Sequence, residues 1–177
     1  MKNVRSLLRL IVVLALLATP ATSLGAARPS TPEELATAVR LTAELERDPL
    51  GPNAGEYRRW LFAWLAEAPD VIVLTCPYHF DLFESNLGNF GTELMLQSLF
   101  GAASFAIQNP SRAEDEPAKQ VAGIESMLRA YENYIRTMPG GRRGPMDELI
   151  DLRDTGGLEA WVTLKWNECL EAMSKAR

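Results

Sequence analysis

The sequence predicts an all-α fold, a compact bundle of about five or six helices behind a cleaved signal peptide, with one intramolecular disulfide. Three observations carry the prediction. Apolar residues recur at helical spacing through most of the chain beyond residue 28, capping residues and prolines punctuate them, and only one short run has strand character.

Residues 1–27 have the three parts of an export signal. Lys2, Arg5 and Arg9 form a basic start, Leu10 to Ala18 is an unbroken apolar run, and the small residues Ala21, Ser23, Gly25 and Ala27 follow Pro20. The run is well short of the roughly 20 residues that span a bilayer, so it reads as a signal core and not an anchor. Cleavage is expected between Ser23 and Arg28. No cysteine lies near that point to carry a lipid, and no later apolar stretch reads as a membrane span. Residues 28–177 should therefore form a single soluble helical domain, periplasmic or extracellular.

The whole chain has 18 basic and 23 acidic residues, a formal charge of −5. Loss of residues 1–27 removes three basic and no acidic residues, leaving 15 against 23 and a charge of −8. So acidic a domain is a poor match for a phosphate backbone, and nucleic acid is not an expected partner. The two cysteines, Cys76 and Cys169, belong to a chain bound for an oxidising compartment, which predicts a disulfide between them.

Thr31-Pro32-Glu33-Glu34 places a capping threonine before a first-turn proline, with Glu34 positioned to reach back. A helix starts there, carries Leu35, Val39, Leu41, Thr42 and Leu45, and stops at Asp48-Pro49. Asn53-Ala54-Gly55-Glu56 reads as a second capping box. Behind it Tyr57, Trp60, Leu61, Trp64, Leu65 and Ala68 share a face expected to be buried, and Pro69 closes the helix. Phe62 falls off the stripe and either widens it or stays exposed.

Val71-Ile72-Val73-Leu74 has strand propensity, but no other segment supplies a partner strand, so a helix or an irregular crossing is expected. Residues 84–91 read as a loop. From Thr92 to Asn109 the polar residues Glu93, Gln97, Ser104 and Gln108 fall on one thin line with Gly101, the pattern of a helix surrounded by others. Residues 111–116 form a charged loop ahead of Pro117. The next helix carries Val121, Ile124, Leu128, Tyr131, Ile135 and Met138. Residues 139–145 are a loop, Met146–Thr155 a short helix broken by Gly156-Gly157, and the last helix buries Val162, Trp166, Cys169, Leu170 and Met173.

The segments FAIQNP and YIRTMP resemble the close of a tetratricopeptide unit. The helix-ending prolines at 49, 69, 110 and 139 are 20, 41 and 29 residues apart, however, and keep no fixed period.

Thr75-Cys76-Pro77-Tyr78-His79-Phe80 resembles the Cys-Pro-Tyr-Cys site of glutaredoxins, with histidine where the second cysteine stands. The resemblance implies a Cys76 thiolate stabilised at a helix N-terminus. It is confined to this segment, and the alternating strands and helices of that fold are not predicted, so Cys76 reads first as structural. His79 is the only histidine. It could pair with Cys76 as nucleophile and base or as half a zinc site, but a zinc site needs further ligands of that kind. The paired carboxylates Glu33/Glu34, Asp147/Glu148 and Asp151/Asp154 sit at helix starts or on polar faces, where capping and solubility explain them. Neither a nucleophile elbow nor a phosphate-binding glycine loop is present. Arg142 and Arg143, in a glycine-rich loop, could receive a partner's carboxylates or phosphates or form a solvated turn.

These readings give an exported binding protein, an adaptor, inhibitor or assembly factor with a protein partner, with no catalytic residue, metal or cofactor expected. The alternatives are a thiol-dependent redox protein acting through Cys76 and a purely structural envelope component.

Overall fold

The computed structural model describes residues 28–76, 90–141 and 144–175. The predicted signal peptide, Pro77 to Phe80, residues 84–89, and the Arg142–Arg143 pair lie outside the described residues. Six α-helices make up the fold, with no strand among the described residues: α1 (Pro32–Arg47), α2 (Ala54–Glu67), α3 (Phe90–Gln108), α4 (Glu116–Thr137), α5 (Gly144–Asp154) and α6 (Leu158–Lys175).

The first helix starts as its sequence requires. Thr31 is extended, its hydroxyl accepts from the Glu34 amide, and the Glu34 carboxylate accepts from the Thr31 amide at 2.7 Å. The second does not. Asn53 has helical backbone angles, so its side chain makes no cap, and the expected capping box is absent. Its side-chain amide approaches the Tyr57 hydroxyl instead, at 3.4 Å. The Asp115 carboxylate caps α4 by accepting from the Ala118 amide, with Pro117 in the first turn.

Two boundaries move outward. Phe90 and Gly91 belong to α3 and not to the loop, because Phe90 is buried and stacks on Tyr134 with ring centroids 3.7 Å apart. The α5 helix begins at Gly144, since a proline such as Pro145 needs no amide partner in a first helical turn.

The α3 helix lies at the centre, buried along much of its length as its thin polar stripe predicts. Phe90 meets Tyr134 at one end and Gly101 meets Ser126 and Ala122 further along, so α3 and α4 run antiparallel. They approach closely enough that a Cβ on Gly101 would lie 2.3 Å from the Ser126 Cβ, and one on Gly123 2.5 Å from the Ser98 carbonyl oxygen. Gln97 ties three helices together, donating to the α1 carbonyl of Thr42 at 3.2 Å and the α4 hydroxyl of Ser126 at 2.9 Å. With both partners in place, this buried amide avoids the desolvation cost of an unmade bond.

Two apolar clusters flank this pair. One gathers Ile124, Met127 and Tyr131 of α4 with residues of α5 and α6, and includes both cysteines. The other joins Leu41 and Leu45 of α1 to Leu61 of α2 and Phe100 of α3. The predicted α2 stripe is buried fully only at Leu61. Trp60 and Trp64 stack at 6.0 Å while remaining half-buried, and Phe62 is exposed. Leu170 and Met173 lie on the face that the spacing predicts to be buried but are exposed, because α6 runs on past Cys169 where no described residue covers it. Met138 is exposed too, since the chain leaves the helical conformation there. No helix among the described residues is long and apolar enough to cross a membrane.

Candidate functional site

The disulfide predicted from the sequence is present: Cys76 and Cys169 are bonded, with Cα atoms 5.9 Å apart. Residues 71–76 reach α6 as an irregular crossing, the form expected for a strand-like run with nothing to pair with. Side chains replace the missing ladder. The Lys119 ammonium donates to the Ile72 carbonyl and the Gln120 amide to the Leu74 carbonyl, both at 3.0 Å. Lys119 is itself buried and paired with Glu116. This crossing carries Cys76 into the core, where it is 0 % exposed and Cys169 only 5 %. In this state neither sulfur is a nucleophile, and thiolate chemistry at Cys76 would first require the bond to be broken.

Two adjoining hollows run along the surface where α1 faces α4. The wider, about 600 Å³, is lined by Glu46 and Arg47 of α1, Arg129, Asn133 and Arg136 of α4, and Ile150 of α5. The narrower, about 400 Å³, has Gly101, Ser104 and Gln108 of α3 as its floor, with Val39, Thr42 and Ala43 on one wall and Ala122 and Glu125 on the other. Glu46 and Arg129 line both.

These two side chains form the divide between the hollows. Arg129 grips the Glu46 carboxylate through Nε and Nη2, both at 2.8 Å, and its Nη1 lies 3.6 Å from Glu125. Hydrogen bonding to Glu46 raises the Arg129 pKa, although partial burial opposes it. The Asn133 amide donates to the Glu46 carbonyl at 2.7 Å, fixing the end of α1 against α4. Nearby, Arg153 of α5 holds Glu132 in the same two-pronged way at 2.9 and 2.7 Å, and the pairing raises its pKa. Such forks are more directional than single ion pairs and hold the walls in register.

Of the residues singled out by sequence, Cys76 and Cys169 are brought together, and Arg142 and Arg143 lie outside the described residues. The groove residues were missed. Glu125, Arg129, Asn133 and Arg136 do share a polar face of α4 by spacing. Glu46, the partner of Arg129 and Asn133, is 83 residues from Arg129, and no local pattern announces such a pairing. No group of three or more His, Cys, Asp or Glu side chains among the described residues could hold a metal ion. No protein-family model matches the chain, and neither curated proteins nor solved structures give a match.

Proposed function

We propose that this is an exported, non-catalytic binding protein that receives a partner in the groove between α1 and α4. The observation that carries the reading is the pair of adjoining hollows, whose walls are fixed by the Arg129–Glu46 and Arg153–Glu132 forks. A concave surface with pre-positioned polar groups suits recognition, because little order has to be created on binding. The signal-like residues 1–27 support export, as does a disulfide, a bond that persists mainly in oxidising compartments.

The test is recovery of the tagged protein from the exported fraction of its host, with three variants compared. Ala43→Trp fills the narrower hollow, and Ala63→Trp adds the same bulk to the exposed side of α2. A stoichiometric partner should accompany the unaltered chain and Ala63→Trp, and should be lost from Ala43→Trp. Equal recovery with all three would move the binding surface elsewhere. Turnover of a disulfide substrate by the purified protein would replace the reading with thiol chemistry at Cys76.

A further inference from the structure

We infer that the wider hollow takes a peptide segment in which a carboxylate stands next to an aliphatic side chain. This deepens the groove reading and rests on it. Both carboxylates lining the hollow have both oxygens held by a guanidinium: Glu46 by Arg129, and Glu132 by Arg153. The remaining cations are not matched in this way. Arg136, exposed in the last turn of α4, makes no hydrogen bond or ion pair among the described residues. Arg47 touches Glu44 through Nη2 alone, and its side chain is 68 % exposed. The hollow thus holds saturated acceptors and spare guanidinium donors, the arrangement that receives an oxyanion.

Each of these arginines also faces the carbonyl end of its own helix, a favourable position for a cation. That accounts for one arginine per helix end. It does not account for the convergence of Arg47 and Arg136 on a single hollow. Beside them, Ile135 and Ile150 are half-buried and form an apolar wall, so the bound group is not a bare anion. A volume of about 600 Å³ fits a few residues of chain and not a folded domain. Continuation past the Glu46–Arg129 divide reaches Gln108 and Asn109, whose side-chain nitrogens donate to α3 and whose side-chain oxygens face no donor among the described residues, so they can accept from an extended backbone.

The experiment is fluorescence anisotropy on the purified oxidised protein with three labelled peptides. One alternates glutamate and leucine, one glutamine and leucine, and one glutamate and serine. The first should bind, more weakly as salt rises, and the other two at least about ten-fold more weakly, the size of one lost charged or apolar contact. Arg47→Gln combined with Arg136→Gln should weaken the first peptide about ten-fold or more, and Arg136→Lys, which keeps the charge without the fork, should fall between. Arg59→Gln on the exposed side of α2 should change nothing. Equal binding of the glutamine peptide, no binding of the glutamate–leucine peptide, or indifference to the double arginine variant would overturn the inference. A partner that Ala43→Trp displaces while the peptides fail would leave the groove reading standing and remove this one.

Discussion

The two apolar clusters on either side of the α3–α4 pair are held by different means. Around α4, α5 and α6 the large side chains Met127, Tyr131, Met146 and Val162 are inaccessible, and a disulfide ties α6 to the crossing at 71–76. Around α1 and α2, Leu45, Leu61 and Phe100 are buried, but Tyr57, Trp60 and Trp64 stay half in water. The first cluster is closed by a covalent bond between residues 93 apart in sequence. The second contains no cysteine and is held by packing and by hydrogen bonds, such as the Trp64 indole donating to the Ser30 hydroxyl and the Ser30 amide to Asp70. Perturbations should therefore separate the two ends of the molecule.

The largest separation should come from the disulfide. Its sequence separation is 93 residues, and the chain-entropy model puts the stabilisation from so long a loop near 4–5 kcal/mol as an upper figure. That is a large share of the roughly 5–15 kcal/mol by which domains are stable. Cys169→Ser should lower the melting temperature clearly, and hydrogen exchange should speed up more in α6 than in α1. Being buried, the bond should also resist mild reductant in the folded protein. Two free thiols in denatured, unreduced protein, or an equal loss of protection at both ends, would show that the disulfide does not set the α6 end apart from the α1 end.

Next in size is an effect both clusters share. Gly123→Ala places a methyl group 2.5 Å from the backbone oxygen of Ser98, and backbone in the middle of α3 cannot swing aside. The helices must part, at a cost of about 1–3 kcal/mol or more. Because α3 contributes to both clusters, and α4 belongs to the first while also holding α1, denaturant melts should show the loss without favouring either end. A variant as stable as the parent would mean that the helices cross less closely than described.

Much of this architecture was legible in the sequence because its signals are local. Thr31, Pro32 and Glu34 form a complete start signal within one turn, and the thin polar line of α3 states that other helices surround it. Asn53 shows the limit, since its residue type suits a cap but the preceding turn leaves its backbone helical. The α6 stripe overran for a similar reason: periodicity names a face but cannot say where the neighbouring helices stop covering Leu170 and Met173. The disulfide was legible from chemistry alone, with two cysteines behind a signal-like start. The groove was not, because Glu46 with Arg129 and Glu132 with Arg153 are pairings made by tertiary structure.

A smaller effect should stay within α1. Thr31→Ala deletes the acceptor for the Glu34 amide and should cost about 1 kcal/mol, the usual range for a lost cap. Exchange should quicken in the first turns of α1, with α6 unchanged. A loss spread through α6 would show that the clusters are more tightly coupled than the comparison holds.

The smallest effect, and the one that tests the α1 end most finely, is acid titration of Glu34. Arg28 holds this carboxylate through two hydrogen bonds at 2.9 and 2.7 Å, and with the Thr31 amide it lowers the Glu34 pKa from the usual 4.5 to about 2. A carboxyl whose pKa is depressed on folding binds fewer protons folded than unfolded, so its contribution is complete above about pH 4.5 and fades as the pH falls towards 2. Glu34→Gln keeps an oxygen for the Thr31 amide and removes the charge, so the two proteins differ mainly in the pairing with Arg28. Urea melts should show the parent ahead by a constant small margin at neutral pH and the margin closing below pH 4.5. Salt should shrink it, since the pair is partly exposed. Asp115, whose pKa is lowered chiefly by Arg112, stays in both proteins and cancels from the difference. A margin that widens in acid would show that Glu34 is not the ionised partner of Arg28, and that the capping box alone fixes the start of α1.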